Sequence, residues 1–207
     1  DALRDALRPN TRVLILNSPH NPSGRVFDDA ELAAIAELCV ERDLIAVCDE
    51  VYEHLVYDGH SHRPLMSFPG MRERTIGISS TGKTFSLTGW KIGWAYAAPA
   101  LLDAVYAAHQ FLTFSVASPL QHGMAHALRS FQGPWLDGFR SEYDARRLCL
   151  LQLLEAAGFE CARPQGSYFI LATHPALFAG GHSDREVAEA LVRENGVAAI
   201  PPSSFYM

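Results

Sequence analysis

The sequence predicts an α/β protein: part of a large domain built on a parallel sheet, followed by a smaller α+β C-terminal domain. Three observations predict it. Short apolar runs at 13–17, 44–48 and 75–80 have strand length and end in turn-forming or polar residues. A segment of helical period lies between the first two, joined by short loops, which is the strand–helix–strand grammar of a parallel sheet covered by helices. Beyond residue 134 the order becomes long helix, strand, strand, helix, strand, an α+β pattern.

Taken in order, the chain opens on an amphipathic helical pattern, Asp1-Ala2-Leu3-Arg4-Asp5-Ala6-Leu7. Val13–Asn17 is apolar and runs into a Pro/Asn/Gly loop, so it reads as a buried strand. Asp28 or Asp29 caps a helix whose apolar positions Leu32, Ile35, Ala36, Leu38 and Cys39 recur at helical spacing. Residues 44–48 are a second strand ending at Asp49-Glu50, and Thr75–Ser80 is a third. Trp90, Ile92, Trp94 and Tyr96 alternate within 89–97, the period of a further strand. Pro99–Leu112 and 119–131 read as helices. A long Arg- and Leu-rich helix follows at 134–157, stopped by Gly158. Strands are expected at 159–162, 168–172 and 197–200, with a helix at 184–195 capped by Ser183. Residues 1–133 are assigned to the large domain, and 134–207 to the linking helix and small domain.

Composition narrows the function classes. Apolar residues make up 48% and charged residues 19% of the 207, an ordinary globular balance. A net charge of −6 without a basic run argues against nucleic acid as a partner. No apolar run reaches membrane-spanning length, and the N-terminus does not read as a signal peptide. Cys39, Cys48, Cys149 and Cys161 are far apart, and three of them lie in apolar segments, so buried free thiols in a reducing compartment are expected. A cytoplasmic protein is the resulting expectation. His60-Ser61-His62 lies in a polar loop with no carboxylate or Cys partner at useful spacing, so a surface loop and no metal are expected.

Among the 17 basic residues only two are lysines, Lys83 and Lys91, and both fall in one stretch rich in small residues, 79–94. Arg serves wherever a bare positive charge suffices. Bonding to an aldehyde needs an amine that can lose its proton, which a guanidinium does not do. In an open parallel sheet, ligands bind beyond the carboxyl ends of the strands. Three strand ends here carry polar residues: Asn17 to Gly24, then Asp49-Glu50-Val51-Tyr52, then Ser79 to Lys83. Each residue alone is ordinary; the order and spacing together are specific.

Asn21-Pro22-Ser23-Gly24, Asp49-Glu50-Val51-Tyr52 and Ser80-Thr81-Gly82-Lys83, with Lys91 in Thr88-Gly89-Trp90-Lys91-Ile92-Gly93-Trp94, resemble the class I/II pyridoxal-phosphate aminotransferases of fold type I. The wording is most similar to the kynurenine, methionine and succinyldiaminopimelate aminotransferase branch, and it extends to Pro119-Leu120-Gln121 and Gly166-Ser167-Tyr168-Phe169. The resemblance implies pyridoxal 5′-phosphate as cofactor and amino acid and 2-oxo acid as substrates. Lys83 would bond to the cofactor aldehyde and shuttle the substrate proton. Asp49 would pair with the pyridine nitrogen, Asn21 and Tyr52 with the ring's phenolic oxygen, and Ser80 and Lys91 with the phosphate. Many relatives carry Arg where Lys91 stands, so the charge is kept and bidentate geometry given up. The resemblance also implies a homodimer, with the segment 109–114 reaching toward the partner's site and Phe114 lining the substrate. A C–S lyase of the same fold, or a non-catalytic or regulatory relative, stays open. Set against the family, the sequence is expected to lack an N-terminal phosphate loop and a C-terminal carboxylate-gripping arginine, and to be impaired if it acts alone.

Overall fold

The computed structural model describes residues 2–178 and 180–205. Helix α1 (Ala2–Ala6) leads into strand β1 (Val13–Asn17), whose burial alternates, with Leu14 and Leu16 inward. Helix α2 (Asp29–Glu41) starts at a full capping box. Asp28 Oδ1 accepts from the Glu31 amide at 2.8 Å, and Glu31 Oε2 accepts from the Asp28 amide at 3.1 Å. The helix buries Leu32, Ile35, Ala36, Leu38 and Cys39. Strands β2 (Ile45–Asp49) and β3 (Thr75–Ser80) pair in parallel, and β4 (Gly93–Tyr96) returns antiparallel, in the order β1-β2-β3-β4. The main core lies between α2 and this sheet: Leu14, Leu16, Ala46 and Cys48 meet Leu32, Ile35 and Cys39, and Leu65, Phe68 and Met71 close its far side. The register places Asn17 beside Asp49 and Asp49 beside Ile78, so the strand tips are level.

Helix α3 (Thr81–Thr84) follows β3 directly. Beyond β4 come α4 (Pro99–Leu112), α5 (Ser118–Ser130) and α6 (Pro134–Ala156). Strands β5 (Glu160–Ala162) and β6 (Leu171–Thr173) form an antiparallel pair, followed by α7 (Pro175–Phe178) and α8 (Asp184–Ala190). Ser183 caps α8 in a second capping box, as its sequence position predicts.

Several expectations are corrected. The alternating run 89–97 is a strand only over Gly93–Tyr96, because Thr88–Trp90 is a 3-10 turn and Lys91 is left-handed with φ 54°. A chain that returns antiparallel beside β3 must first turn, and this stretch makes the turn. The expected strand 168–172 shrinks to β6, and the expected helix 184–195 passes from α8 into a π-turn at Leu191–Asn195. Residues 197–200 form no strand; Val197 and Ile200 are exposed, with no strand beside them among the described residues. The cysteines are all free, but only Cys39 and Cys48 are buried, while Cys149 is exposed. Asp1 of the opening helical pattern and the last two residues, 206–207, lie outside the described residues.

Long-range ties hold the 164–169 segment against the strand tips. Gly24 accepts at its carbonyl from the amides of Gln165 (2.9 Å) and Gly166 (2.8 Å), and Gln165 Oε1 accepts from the Val26 amide at 3.1 Å. Gly24 sits at φ 67° with its Cα against Pro164, where a Cβ would collide, so both backbone conformation and close approach require glycine. Arg147 of α6 is buried: it donates to both carboxylate oxygens of Asp58, to Asp144 and to the Pro164 carbonyl, and packs over the Tyr57 ring.

Candidate active site

The polar cluster is assembled at the tips of β1 and β2 and the start of α3. Asn17 Nδ2 donates to the Asp49 carbonyl at 3.0 Å, and its Oδ1 accepts from the Asn21 amide at 2.7 Å. One side chain thus ties the loop carrying Asn21 to the strand carrying Asp49. Asp49 is half-buried, and its Oδ1 accepts from the Val51 amide at 3.2 Å. Tyr52 is 2% exposed. Among the described residues neither its Oη nor Asn21 Oδ1 has a hydrogen-bond partner, although both atoms are buried. Burial raises the Tyr52 phenol above its ordinary value; Tyr168 and the Asp49 charge raise it further, and Asn21 opposes them, so Tyr168 and Asn21 stand near enough to the hydroxyl to influence it without meeting hydrogen-bond geometry. The hydroxyl therefore stays protonated and is available as a donor.

Lys83 is placed by the short helix α3. Ser80 Oγ caps that helix, accepting from the Gly82 amide at 3.4 Å. Thr81, fully buried, donates to the Ile92 carbonyl through its amide (3.0 Å) and its hydroxyl (3.2 Å), fixing the turn to the start of β4. Lys83 Nζ lies 5.7 Å from the centre of the Tyr52 ring and 5.6 Å from that of Tyr168. It borders a cleft of about 390 Å³ shared with Tyr143, Arg146, Ser167, Tyr168 and Phe169.

Thus Lys83 and Tyr52 stand together, with Asn21 and Asp49 beside Tyr52. Ser80 pairs with Gly93 across the β3–β4 ladder, and Thr81 with Ile92, which brings Lys91 to the same end of the sheet. Lys91 is exposed and neither it nor Ser80 borders the cleft. Phe114 is 85% exposed at φ 66° and stands outside the cleft lining.

Two features of the site carry no role in the sequence reading, and a third, Tyr168, enters it only within the motif Gly166-Ser167-Tyr168-Phe169. Asn17 acts only through its two hydrogen bonds, and a strand-end Asn carries no signal of that. Tyr168 meets Tyr52 edge to face at 5.2 Å and completes the surroundings of Lys83. A row of rings along α6 supports both: Trp135 stacks on Phe85 at 5.2 Å, Phe139 on Trp135 at 5.7 Å, and Tyr143 reaches Tyr168 at 5.9 Å. The spacing of Trp135, Phe139 and Tyr143 at every fourth residue is the signal that would have found it.

The residues fit pyridoxal phosphate on one observation: two buried polar atoms, Asn21 Oδ1 and Tyr52 Oη, lack partners among the described residues and stand beside the half-buried Lys83. A buried polar atom without a partner costs free energy that a ligand oxygen there would offset. An amide turned end for end presents its NH₂ at the same place.

The sequence profile described as "Aminotransferase class I and II" matches residues 1–207. A Mycobacterium tuberculosis protein named probable N-succinyldiaminopimelate aminotransferase is 47% identical over 205 residues, covering 99% of this chain and 51% of its own length. The kynurenine–oxoglutarate transaminase of Dictyostelium discoideum is 36% identical over 226 residues, covering 100% of this chain and 51% of its own. The solved structure of N-succinyldiaminopimelate aminotransferase from M. tuberculosis matches with TM-score 0.94 at 47% identity, over 100% of this chain and 53% of that one. The chain spans about half the length of the curated relatives it matches.

Proposed function

The chain belongs to the class I and II aminotransferases, and from that premise we propose that it transfers an amino group between an amino acid and a 2-oxo acid, using pyridoxal phosphate held at Lys83. The supporting observation is the pairing of Lys83 Nζ with Tyr52, next to the unpartnered Tyr52 and Asn21 atoms. When bound, the cofactor supplies an aldehyde that bonds to amines and a ring that accepts the electron pair left when a Cα proton departs.

The chain's own residues divide the remaining work. Lys83 Nζ would take the proton from the substrate Cα and deliver it to the carbon of the cofactor's former aldehyde, on the other side of the nitrogen, as base and then acid. Asp49 holds the proton on the ring nitrogen, and its place on a strand tip fixes its position. Tyr52 Oη donates to the ring's phenolic oxygen, and Asn21 shares that oxygen. Ser80 and Lys91 take the phosphate at the end of β3 and β4. We propose further that residues 1–133 and 134–207 are two units, that the protein is a homodimer and that it works in the cytoplasm.

The test is covalent trapping. The protein is mixed with pyridoxal phosphate, reduced with borohydride and mapped by peptide mass. With only two lysines in the chain, the outcomes separate cleanly. The pyridoxyl group is expected on Lys83, and the signal should vanish in Lys83→Ala. Equal labelling of Lys91, or label that persists in Lys83→Ala, would sink the assignment.

A further inference from the structure

On the α2 side of the sheet lies a second polar cluster that the proposed reaction does not use. The Glu50 amide donates to the Ile78 carbonyl at 2.9 Å, which carries the ladder one residue past Asp49. Alternation then turns the Glu50 side chain away from Asp49 and into the core face with Cys48. Its side chain is 4% exposed. Facing it is His62, from the loop expected to be a solvated surface loop without a carboxylate partner. Instead the His62 side chain is 9% exposed, and its Nε2 stands 3.7 Å from Glu50 Oε2 with no hydrogen-bond partner among the described residues. Glu53 completes the group: one ligand atom from each of Glu50, Glu53 and His62 lies within 4.8 Å of the others. His54 Nε2 lies 3.7 Å from Glu53 Oε1 at the more exposed edge.

We propose that Glu50, Glu53 and His62 form a binding site for one divalent cation of the zinc type. Charge is the first argument. Two carboxylates, one nearly fully buried, form no ion pair with Lys or Arg among the described residues; their ion-pair partners there are the imidazoles of His54 and His62. Burying a carboxylate without a counter-charge costs several kcal/mol, about the scale on which a dication compensates. Distance is the second. At 3.7 Å, Nε2 is too far from Glu50 for an N–H···O bond of about 2.7–3.2 Å. Two ligands of a tetrahedral zinc, each about 2.1 Å from the metal, stand roughly 3.4 Å apart. The observed separation is close to that, and a small inward movement completes it.

The carboxylates are also oriented from behind. Tyr96 Oη donates to Glu50 Oε2, and Ser79 Oγ donates to Glu53 Oε1 at 2.8 Å. Hydrogen bonds of this kind fix ligating carboxylates in metal sites. A void of about 10 Å³ adjoins the Glu50–His62 pair on its core side, lined also by Ser18, Cys48, Arg63 and three leucines but not by Glu53, so an ion held by all three ligands would sit beside this void and not in it. Mixed imidazole and carboxylate donors suit zinc, or cobalt as its visible substitute, better than magnesium or calcium. A cation there would staple the 50–62 loop, which carries Tyr52, to the sheet.

The test uses the full chain, stripped with chelator and without cofactor, titrated calorimetrically with Zn²⁺ alone and followed in parallel by the visible spectrum of Co²⁺. One equivalent is expected, with a rise in the unfolding midpoint as metal is added. Glu53→Gln and His62→Gln should each weaken binding at least tenfold. His60→Gln, in the same loop but exposed, should leave it unchanged. Glu53 is partly exposed, so Glu53→Gln remains informative if His62→Gln does not fold. Absence of binding to the unmodified chain overturns the proposal. So does zinc binding that survives both substitutions, because surface histidines would then hold the metal.

Discussion

Asp58 and Arg147, 89 residues apart, meet as a two-pronged ion pair: Nη1 and Nη2 of the arginine each donate to one carboxylate oxygen at 2.8 Å. The arginine side chain is 4% exposed and the aspartate 36%. The pair joins the loop after β2 to α6, and Arg163 adds a second, exposed contact to the same carboxylate.

Arg147, then Arg163, hold the Asp58 carboxyl well below the usual carboxylate range. A depressed folded value means the stabilisation is complete above the unfolded value of about 3.9 and is lost as pH falls below it. Asp58→Asn should therefore lower stability near neutrality by about 1–2 kcal/mol; solvent access to Asp58 discounts the larger figure for a buried pair. Urea unfolding across pH checks this. The variant's deficit should shrink as pH falls below about 4. A deficit that stays constant down to pH 2 would mean the pair carries no ionic stabilisation.

Tyr52→Phe should separate stability from binding. The hydroxyl has no hydrogen-bond partner among the described residues, so its removal should leave the cofactor-free protein as stable as before, or slightly more stable. Affinity for pyridoxal phosphate should drop by a few-fold to about tenfold, the scale of one hydrogen bond. Thermal unfolding without cofactor and an absorbance titration with it measure the two effects. A destabilised cofactor-free variant contradicts the orphaned hydroxyl.

Gly77 is opposite Tyr96 in the β3–β4 ladder, and a Cβ there would overlap the Tyr96 ring. Gly77→Ala should cost about 1–3 kcal/mol through overpacking and free the phenol from Glu50. Pairing it with Tyr96→Leu should recover part of the loss, read as non-additivity in a double-mutant cycle. Full additivity would show that the ring does not occupy that space.

Asp28→Ala removes the cap of α2 and should cost about 1 kcal/mol in chemical unfolding. Asp29→Ala, one residue later and outside the capping box, should cost less. The two costs being equal would place the helix start elsewhere.

The strand–helix–strand core was legible because its burial follows local rules. Leu14 and Leu16, the helical face of α2 and the Asp28 cap all follow from spacing within a dozen residues. The polar strand ends could be read for the same reason, since a parallel sheet brings successive tips together whatever their loops do. What failed depended on partners distant in sequence. Val197 to Ile200 is apolar enough for a strand, but apolarity names no partner. His62 reads as a loop residue because Glu50 reaches it through the fold, not through a motif. Lys91 sits in a left-handed turn that its alternating aromatic neighbours mask. Tyr168 reaches Lys83 only because Gly24 receives the 165–166 amides.

That last tie also sets an order of events on the ribosome. Val26 waits for an acceptor 139 residues downstream. At about 5–20 residues per second, roughly 7–28 s of synthesis separate the two. Through that interval the loop bearing Asn21 has its strand but not its clamp, while the α2 core can already close. The nascent chain thus buries its apolar sheet face first and finishes its chemistry last, so a pause or stop in translation before residue 166 would leave a folded core with an unfinished site.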